Sequence, residues 1–281
     1  MSCKGSVFRG RESLSAAVLG VSLAACLYAL TNGNRGSEPA KGPLAAEQSI
    51  PVLSAKILKT YPHDAEAFTQ GLEYYDGFLY ESTGRTGHSS LRKVDLASGK
   101  VLQKVDLSSE YFGEGLTIFR GKVYQLTWLS EKGFVYDVRS FAKLGAFHYY
   151  GEGWGLTHDG AHLILSDGTN RLRYIDPETF QVTRTLEVYG GKEAVTNLNE
   201  LECVGDDIYA NVWHANRIAR IEARTGQVRA WIDFSALASQ EQNGPEGVLN
   251  GIAFDSARRR FFVTGKNWAH LFEVRVEGLT F

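Results

Sequence analysis

Cysteine, proline and methionine are scarce in this chain of 281 residues, with 3, 6 and 1 copies. Of Cys3, Cys26 and Cys203, only Cys203 falls in the part of the sequence with globular character, which excludes an internal disulfide there. Cys203 lies in the alternating stretch "LECVGDDIYANVW" and reads as core packing rather than as a nucleophile. Long basic runs are also missing, and the formal charge is −2. Nucleic acid is therefore excluded as a partner, because phosphate binding needs a concentrated positive surface. No phosphate loop, dinucleotide fingerprint or Gly-x-Ser-x-Gly motif is present. The seven histidines form no metal-ligand motif; His158 and His162 are four apart, but Asp159-Gly160 breaks any helix between them.

What is abundant is glycine (30 residues), with 43% hydrophobic and 12% aromatic residues in short apolar runs. That composition points to strands and tight turns, and it is enough for one sizeable core. The N-terminus is different. Lys4, Arg9 and Arg11 precede an uncharged apolar stretch from Leu14 to Leu30. Residues 1–31 therefore read as an export signal or an N-terminal membrane anchor. "LAAC", ending at Cys26, resembles a bacterial lipoprotein processing site. The expected location is periplasmic or extracellular, with a membrane tether through residues 14–30 or lipidation at Cys26 as open alternatives. Residues 32–52 are polar, rich in small residues and read as a flexible linker; residues 53–281 form the expected globular domain.

Within that domain one unit recurs five times: "FTQGLEYYDGFLYEST", "FGEGLTIFRGKVYQLTW", "EGWGLTHDGAHLILSDG", "NLNELECVGDDIYANVW" and "VLNGIAFDSARRRFFVTGKNW". Each has an apolar segment, a turn and an alternating strand, the signature of a β-hairpin. The anchor residues Gly71, Gly115, Gly155, Glu200 and Gly251 are 44, 40, 45 and 51 residues apart. Further strand pairs fall between the hairpins, in "SLRKVDLASGKVLQKVDL", "NRLRYIDPETFQVTRTLEV" and "NRIARIEARTGQVRAWIDF". About four antiparallel strands per period of 40–50 residues predict an all-β chain, a five-bladed β-propeller. The strand around residues 55–61 is expected to pair beside residues 270–276 and close the ring. Phe234 to Gly244 is the best candidate for a short helix.

Read in register, the residues before the anchors are Gln70, Glu114, Trp154, Asn199 and Asn250. If the first hairpin strand is innermost, these five side chains encircle the mouth of a central channel. Four polar groups and an indole suit a small ligand site better than a set of solvated turns. Trp128 and Trp213 each fall twelve residues after Leu116 and Leu201, at one end of their repeats, and Trp268 belongs to the fifth repeat. Glu114 lies between two glycines, which suggests unusual backbone freedom. Among Phe112, Trp128 and Trp154, desolvation should raise its pKa, whereas Lys266 would lower it if close. A carboxyl group so placed suits a proton shuttle.

The quoted repeats, together with "YPHD" before them, resemble the plant and bacterial glutaminyl-peptide cyclotransferases over about residues 55–276. The resemblance implies a five-bladed propeller that converts N-terminal glutamine of a peptide or protein into pyroglutamate and releases ammonia, without a catalytic metal or other cofactor. A structural cation in the central channel stays open. The resemblance assigns the catalytic glutamate to Glu114, with Gln70, Asn199 and Lys266 beside it. It assigns the aromatic lining to Phe68, Phe112, Trp128, Trp154 and Trp213; the ring register adds Asn250 as a substrate contact. A monomer is expected. The alternatives are a non-catalytic envelope propeller that binds a ligand at the same mouth, and a calcium-dependent lactonase.

Overall fold

The computed structural model describes residues 49–279. The expected export signal or anchor, Cys26 and most of the expected linker lie outside the described residues. Among the described residues no helix is long and apolar enough to cross a membrane.

The chain enters through β1 (Val52–Pro62). Ile50 already packs on buried side chains and the Pro51 carbonyl accepts from Trp231 N–H, so the folded part begins slightly before the expected residue 53. A four-stranded antiparallel sheet follows, made of β2 (Thr69–Tyr75), β3 (Phe78–Thr83), β4 (Ser90–Val94) and β5 (Val101–Asp106). The second comprises β6 (Gly113–Phe119), β7 (Lys122–Thr127), β8 (Lys132–Asp137) and β9 (Lys143–His148). The third comprises β10 (Leu156–His158), β11 (Leu163–Ser166), β12 (Arg171–Ile175) and β13 (Val182–Glu187).

A two-stranded ribbon, β14 (Tyr189–Gly190) and β15 (Glu193–Ala194), leads into β16 (Leu198–Val204), β17 (Asp207–Val212), β18 (Arg217–Glu222) and β19 (Val228–Asp233). Helix α1 (Ser235–Glu241) occupies the segment expected to be helical. The chain ends with β20 (Leu249–Asp255), β21 (Arg260–Gly265) and β22 (His270–Val276). These last strands and β1 form one eight-stranded sheet, ordered β16-β17-β18-β19-β1-β22-β21-β20. In it β1 runs antiparallel to β22, from Ala55 opposite Val276 to Pro62 opposite His270, as expected. Its first three residues run parallel to β19.

The hairpin turns carry the residues their geometry needs. Asp76-Gly77 (φ 50° and 88°) and Arg120-Gly121 (φ 51° and 75°) both have the two positive φ angles of a turn matched to strand twist. The core lies between sheets. Tyr80 and Leu91 of the first pack with Leu116 and Phe134 of the second, and Leu126 packs with Leu163 of the third. Ile164 packs with Leu201, and Ile218 with Leu249. A last cluster joins Ala253 and Phe262 back to Leu72 and Leu79 of the first sheet. Each such buried side chain contributes about 1.5–3 kcal/mol.

The first strands of neighbouring sheets approach closely at the anchors. A Cβ on Gly115 would lie 2.5 Å from Leu156 N, and one on Gly155 2.0 Å from the Asn199 carbonyl oxygen. Neither Gly113 nor Gly115 has a positive φ. The glycines beside Glu114 thus serve close packing, not the backbone freedom expected of them. Glu200 takes the place of glycine at the fourth anchor. Its carboxyl group, fully buried, accepts N–H groups from Leu72 (3.2 Å) and Ile252 (2.7 Å), so one side chain ties β16 to β2 and β20.

A buried polar latch holds the end of β1. His63 Nδ1 lies 2.7 Å from the Trp268 carbonyl oxygen and Nε2 lies 2.9 Å from Glu81 Oε1. Both partners only accept, so the ring carries both protons. Burial opposes that charge, but Glu81 outweighs it, and the His63 pKa is raised while that of Glu81 is lowered. A raised histidine pKa stabilises the fold fully below the unfolded value, and the contribution is lost as pH rises through the folded value. The thermal midpoint should therefore fall on the alkaline side of that pKa. His63→Gln should abolish this loss and cost about 3 kcal/mol at lower pH, because Glu81 is left buried with a weaker partner. Thermal melts of both proteins across pH check this, and a wild-type pH dependence in His63→Gln would refute it.

Candidate active site

The register of the first hairpin in four repeats breaks where the ring residues lie: between Thr69 and Gly71, Gly113 and Leu116, Leu198 and Leu201, and Leu249 and Ile252. A bulge adds a residue to one strand and re-aims its side chain. Repeated backbone bonds then set the walls. The residue after the second hairpin strand donates to the residue two before the ring position: Gly84 to Phe68 (2.8 Å), Trp128 to Phe112 (2.9 Å), Trp213 to Asn197 (2.8 Å) and Lys266 to Val248 (2.9 Å).

These elements enclose a cavity of about 380 Å³. Gln70, Glu114, Trp154 and Asn199 line it, as do Phe68, Phe112, Trp128, Trp213 and Lys266. The aromatic rings meet edge to face: Phe68 with Phe112 at 6.2 Å, Phe112 with Trp128 at 5.7 Å, and Trp154 with Trp213 at 5.5 Å between centroids. Such pairs add roughly 0.5–1.5 kcal/mol to their burial and fix the ring planes. Where the next aromatic needs space, the repeat has glycine. A Cβ on Gly84 would meet Phe112 at 2.4 Å, and one on Gly168 would meet Trp154 at 2.7 Å.

Asn250 departs from the expectation that it contacts substrate. It is buried behind the cavity, where its Nδ2 donates to the Thr69 carbonyl (2.9 Å) and approaches Gln70 Oε1 (3.4 Å). Its amide is taken up by the neighbouring strand, so it props Gln70 instead of lining the mouth. Trp268 is likewise core: it is fully buried, and its Nε1 donates to the Gly247 carbonyl. Cys203 does not line the cavity, and burial pushes its thiol up to about 12.

Four lining residues were not anticipated: Arg85, His214, Pro245 and Glu246. Arg85 and His214 each stand thirteen residues after Leu72 and Leu201, one beyond the position that holds Trp128 and Trp213, so the repeat held a signal for them. Both have positive φ, 84° and 61°. Pro245 and Glu246 follow α1, an insertion without a counterpart in the other repeats, and left no such trace.

Glu114 is only 4% exposed and accepts a 2.8 Å bond at Oε1 from Gln70 Nε2. Burial raises its pKa well above the ordinary carboxylate range; Lys266 pulls it down and Glu152 pushes it up further. Lys266, itself buried, has its pKa lowered by desolvation, with Glu114 opposing. Desolvation thus prevails over the pair's attraction. The Lys266 ammonium sits 4.9 Å from the Phe68 ring centre, where the ring face offsets part of the lost hydration. Asn199 Oδ1 is buried without a partner, which leaves it an acceptor for whatever enters. Among the described residues no group of three or more His, Cys, Asp or Glu side chains is arranged to hold a metal ion.

Fold and site together define a class: an all-β scaffold whose aromatic-walled pocket is built around one buried carboxyl group. The sequence pattern of glutamine cyclotransferases matches residues 23–276. The glutaminyl-peptide cyclotransferase of Arabidopsis thaliana is 45% identical over 228 residues, which cover 79% of this chain and 71% of that protein. The crystal structure of Myxococcus xanthus glutaminyl cyclase superimposes with a TM-score of 0.77 at 36% identity, covering 83% of this chain and 100% of that one. The chain belongs to the glutamine cyclotransferase family.

Lys266→Met should raise the Glu114 pKa further, because it removes the charge that lowers it. Infrared titration, with Glu114→Gln to identify the carboxyl band, checks the direction. An unchanged or lowered midpoint would show that Lys266 does not act on Glu114.

Proposed function

We propose that Glu114 carries the proton in a cyclisation that takes place in this cavity. The chain is a glutaminyl-peptide cyclotransferase, an acyltransferase, and its substrate is a peptide or protein with N-terminal glutamine. The observation that supports the role of Glu114 is its placement: a buried carboxyl group with a raised pKa, in the lining of the aromatic-walled pocket.

The α-amine of the substrate attacks its own γ-carboxamide carbon, a C–N bond forms, and the C–N bond to the leaving nitrogen breaks. Glu114 takes a proton from the attacking amine and returns it to the departing ammonia, so it ends the cycle as it began. Gln70 spends one N–H on Glu114, which makes it first an orienter of the carboxyl group. Its second N–H and the Asn199 amide are free to hold the carboxamide and stabilise charge developing on its oxygen. Lys266 lines the same cavity and favours the ionised form of Glu114. The Phe and Trp walls hold the side chain folded and keep water out, which favours ring closure over hydrolysis.

The scaffold reads as a five-bladed propeller closed by β1. In this reading the eight-stranded sheet is two blades, β16–β19 and β20–β22 with β1 outermost. The clusters between consecutive sheets, and the one from β20–β22 back to β2 and β3, support it. Residues 53–281 are then the catalytic domain, and residues 1–31 serve as an export signal or an N-terminal membrane anchor.

Glu114→Gln keeps the size and the bond to Gln70 but cannot cycle a proton. Its kcat should fall by ~10²–10⁴, roughly 3–5 kcal/mol of barrier, with little change in peptide binding or fold. Single-turnover ammonia release, with circular dichroism for the fold, measures it; activity within about threefold of wild type would remove Glu114 from the mechanism. Cys203→Ala should cyclise normally, and loss of turnover in the folded variant would bring back a thiol mechanism.

A further inference from the structure

The aromatic wall of the cavity comes in two pieces: Phe68, Phe112 and Trp128 in one, Trp154 and Trp213 in the other. Glu152 joins them. Its Oε2 accepts from Trp128 Nε1 at 2.7 Å and from Trp154 Nε1 at 2.8 Å. It stands two residues before Trp154, as Phe68 stands before Gln70 and Phe112 before Glu114, so at this register position the third repeat has a carboxylate where the first two have a ring.

We propose that Glu152 is a positioning residue for the cyclisation: one carboxylate oxygen clamps both indole walls at the spacing the glutamine side chain needs, and its charge acts on Glu114. The proposal rests on the reading of Glu114 as the acid–base group. Two physical points support it. An indole has a single N–H and no acceptor, so a shared carboxylate oxygen restrains the plane of both rings at once. The clamp is itself held. Arg173 donates to the Glu152 carbonyl at 2.9 Å and to the Tyr150 carbonyl; Gly151 N–H donates to Glu131 Oε1 at 2.7 Å; Gly153 N–H donates to the Trp128 carbonyl at 3.0 Å.

The charge also matters. The groups that bear on Glu114 are Lys266, which favours its ionised form, and Glu152, which disfavours it. Glu246 bears on Lys266 in turn, and Tyr149, near Glu114, has its hydroxyl pushed up to about 12 and is uncharged. Glu152 is thus the negative charge that offsets Lys266.

The test uses Glu152→Gln and Glu152→Ala in the full chain. An amide oxygen still accepts from the indoles but carries no charge. Glu152→Gln should keep KM for a Gln-initiated peptide within about threefold and move the Glu114 infrared midpoint to lower pH, because the charge that raises it is gone. Glu152→Ala should show that same displacement. In addition its KM should rise by roughly tenfold, since two N–H groups lose their acceptor, and its near-ultraviolet tryptophan dichroism should change. The proposal is overturned if Glu114 titrates in Glu152→Gln as in the wild type, or if folded Glu152→Ala has wild-type KM and dichroism. A fall in melting temperature alone, with both readouts unmoved, also overturns it. If Glu152→Ala does not fold, Glu152→Gln still decides through the midpoint. Normal turnover in Glu114→Gln would instead sink the reading of Glu114, and the infrared displacement would still be measurable on its own.

Discussion

The close approach of successive first strands is the constraint on which everything else hangs. Where β6 meets β10, and the residues before β10 meet β16, there is no room for even one methyl group. Backbone packed that tightly cannot carry an uninterrupted ladder and project a side chain inward, so the strands bulge beside the contact. The bulges point Gln70, Glu114 and Asn199 to one end of the assembly. At the fourth anchor the glycine is replaced, and the Glu200 carboxyl group fills the space left between β2, β16 and β20. Its pKa is raised by burial, and two backbone N–H groups offset part of that cost.

Burial then decides the chemistry. A carboxyl group facing water would be ionised at neutral pH and would hold its lost proton weakly. Glu114 is taken out of water by aromatic side chains that cannot solvate charge, which raises its pKa well above the ordinary carboxylate range. Two nearby charges of opposite sign trim that value. Lys266 and Glu152 lie on different repeats, so the balance depends on how the sheets are assembled and not on any one loop.

The aromatic walls follow the same logic of shared space. Trp128 and Trp213 occupy one register position, and Gly84 and Gly168 occupy its counterparts, where a Cβ would strike Phe112 or Trp154. Large and small alternate because rings from adjacent repeats cross. The rings therefore pack edge to face across repeats, and the polar groups are held by one another: Asn250 props Gln70, and Gln70 holds Glu114.

The periodic part of this protein could be read without a structure. Hairpin turns such as Asp76-Gly77, the alternating strands, the helix after β19 and the pairing of β1 with β22 follow from local propensity and from counting strands, which are properties of chain segments. The ring register found Gln70, Glu114, Trp154 and Asn199 for the same reason, since equivalent positions in a repeat occupy equivalent heights. It misplaced Asn250, because the Asn250 amide bonds to Thr69 and Gln70 of the next repeat, a contact that a count along the chain does not show. It gave the glycines around Glu114 a conformational role, when a neighbouring strand was what required them. Arg85 escaped notice because it stands one place beyond the position compared across repeats, and Glu152 because its second partner, Trp128, belongs to a different repeat. The sequence by itself determined which residues repeat and at what height. Only the tertiary structure decided which way they face and how much water they keep, because burial and the field of other charges arise between sheets and not within them.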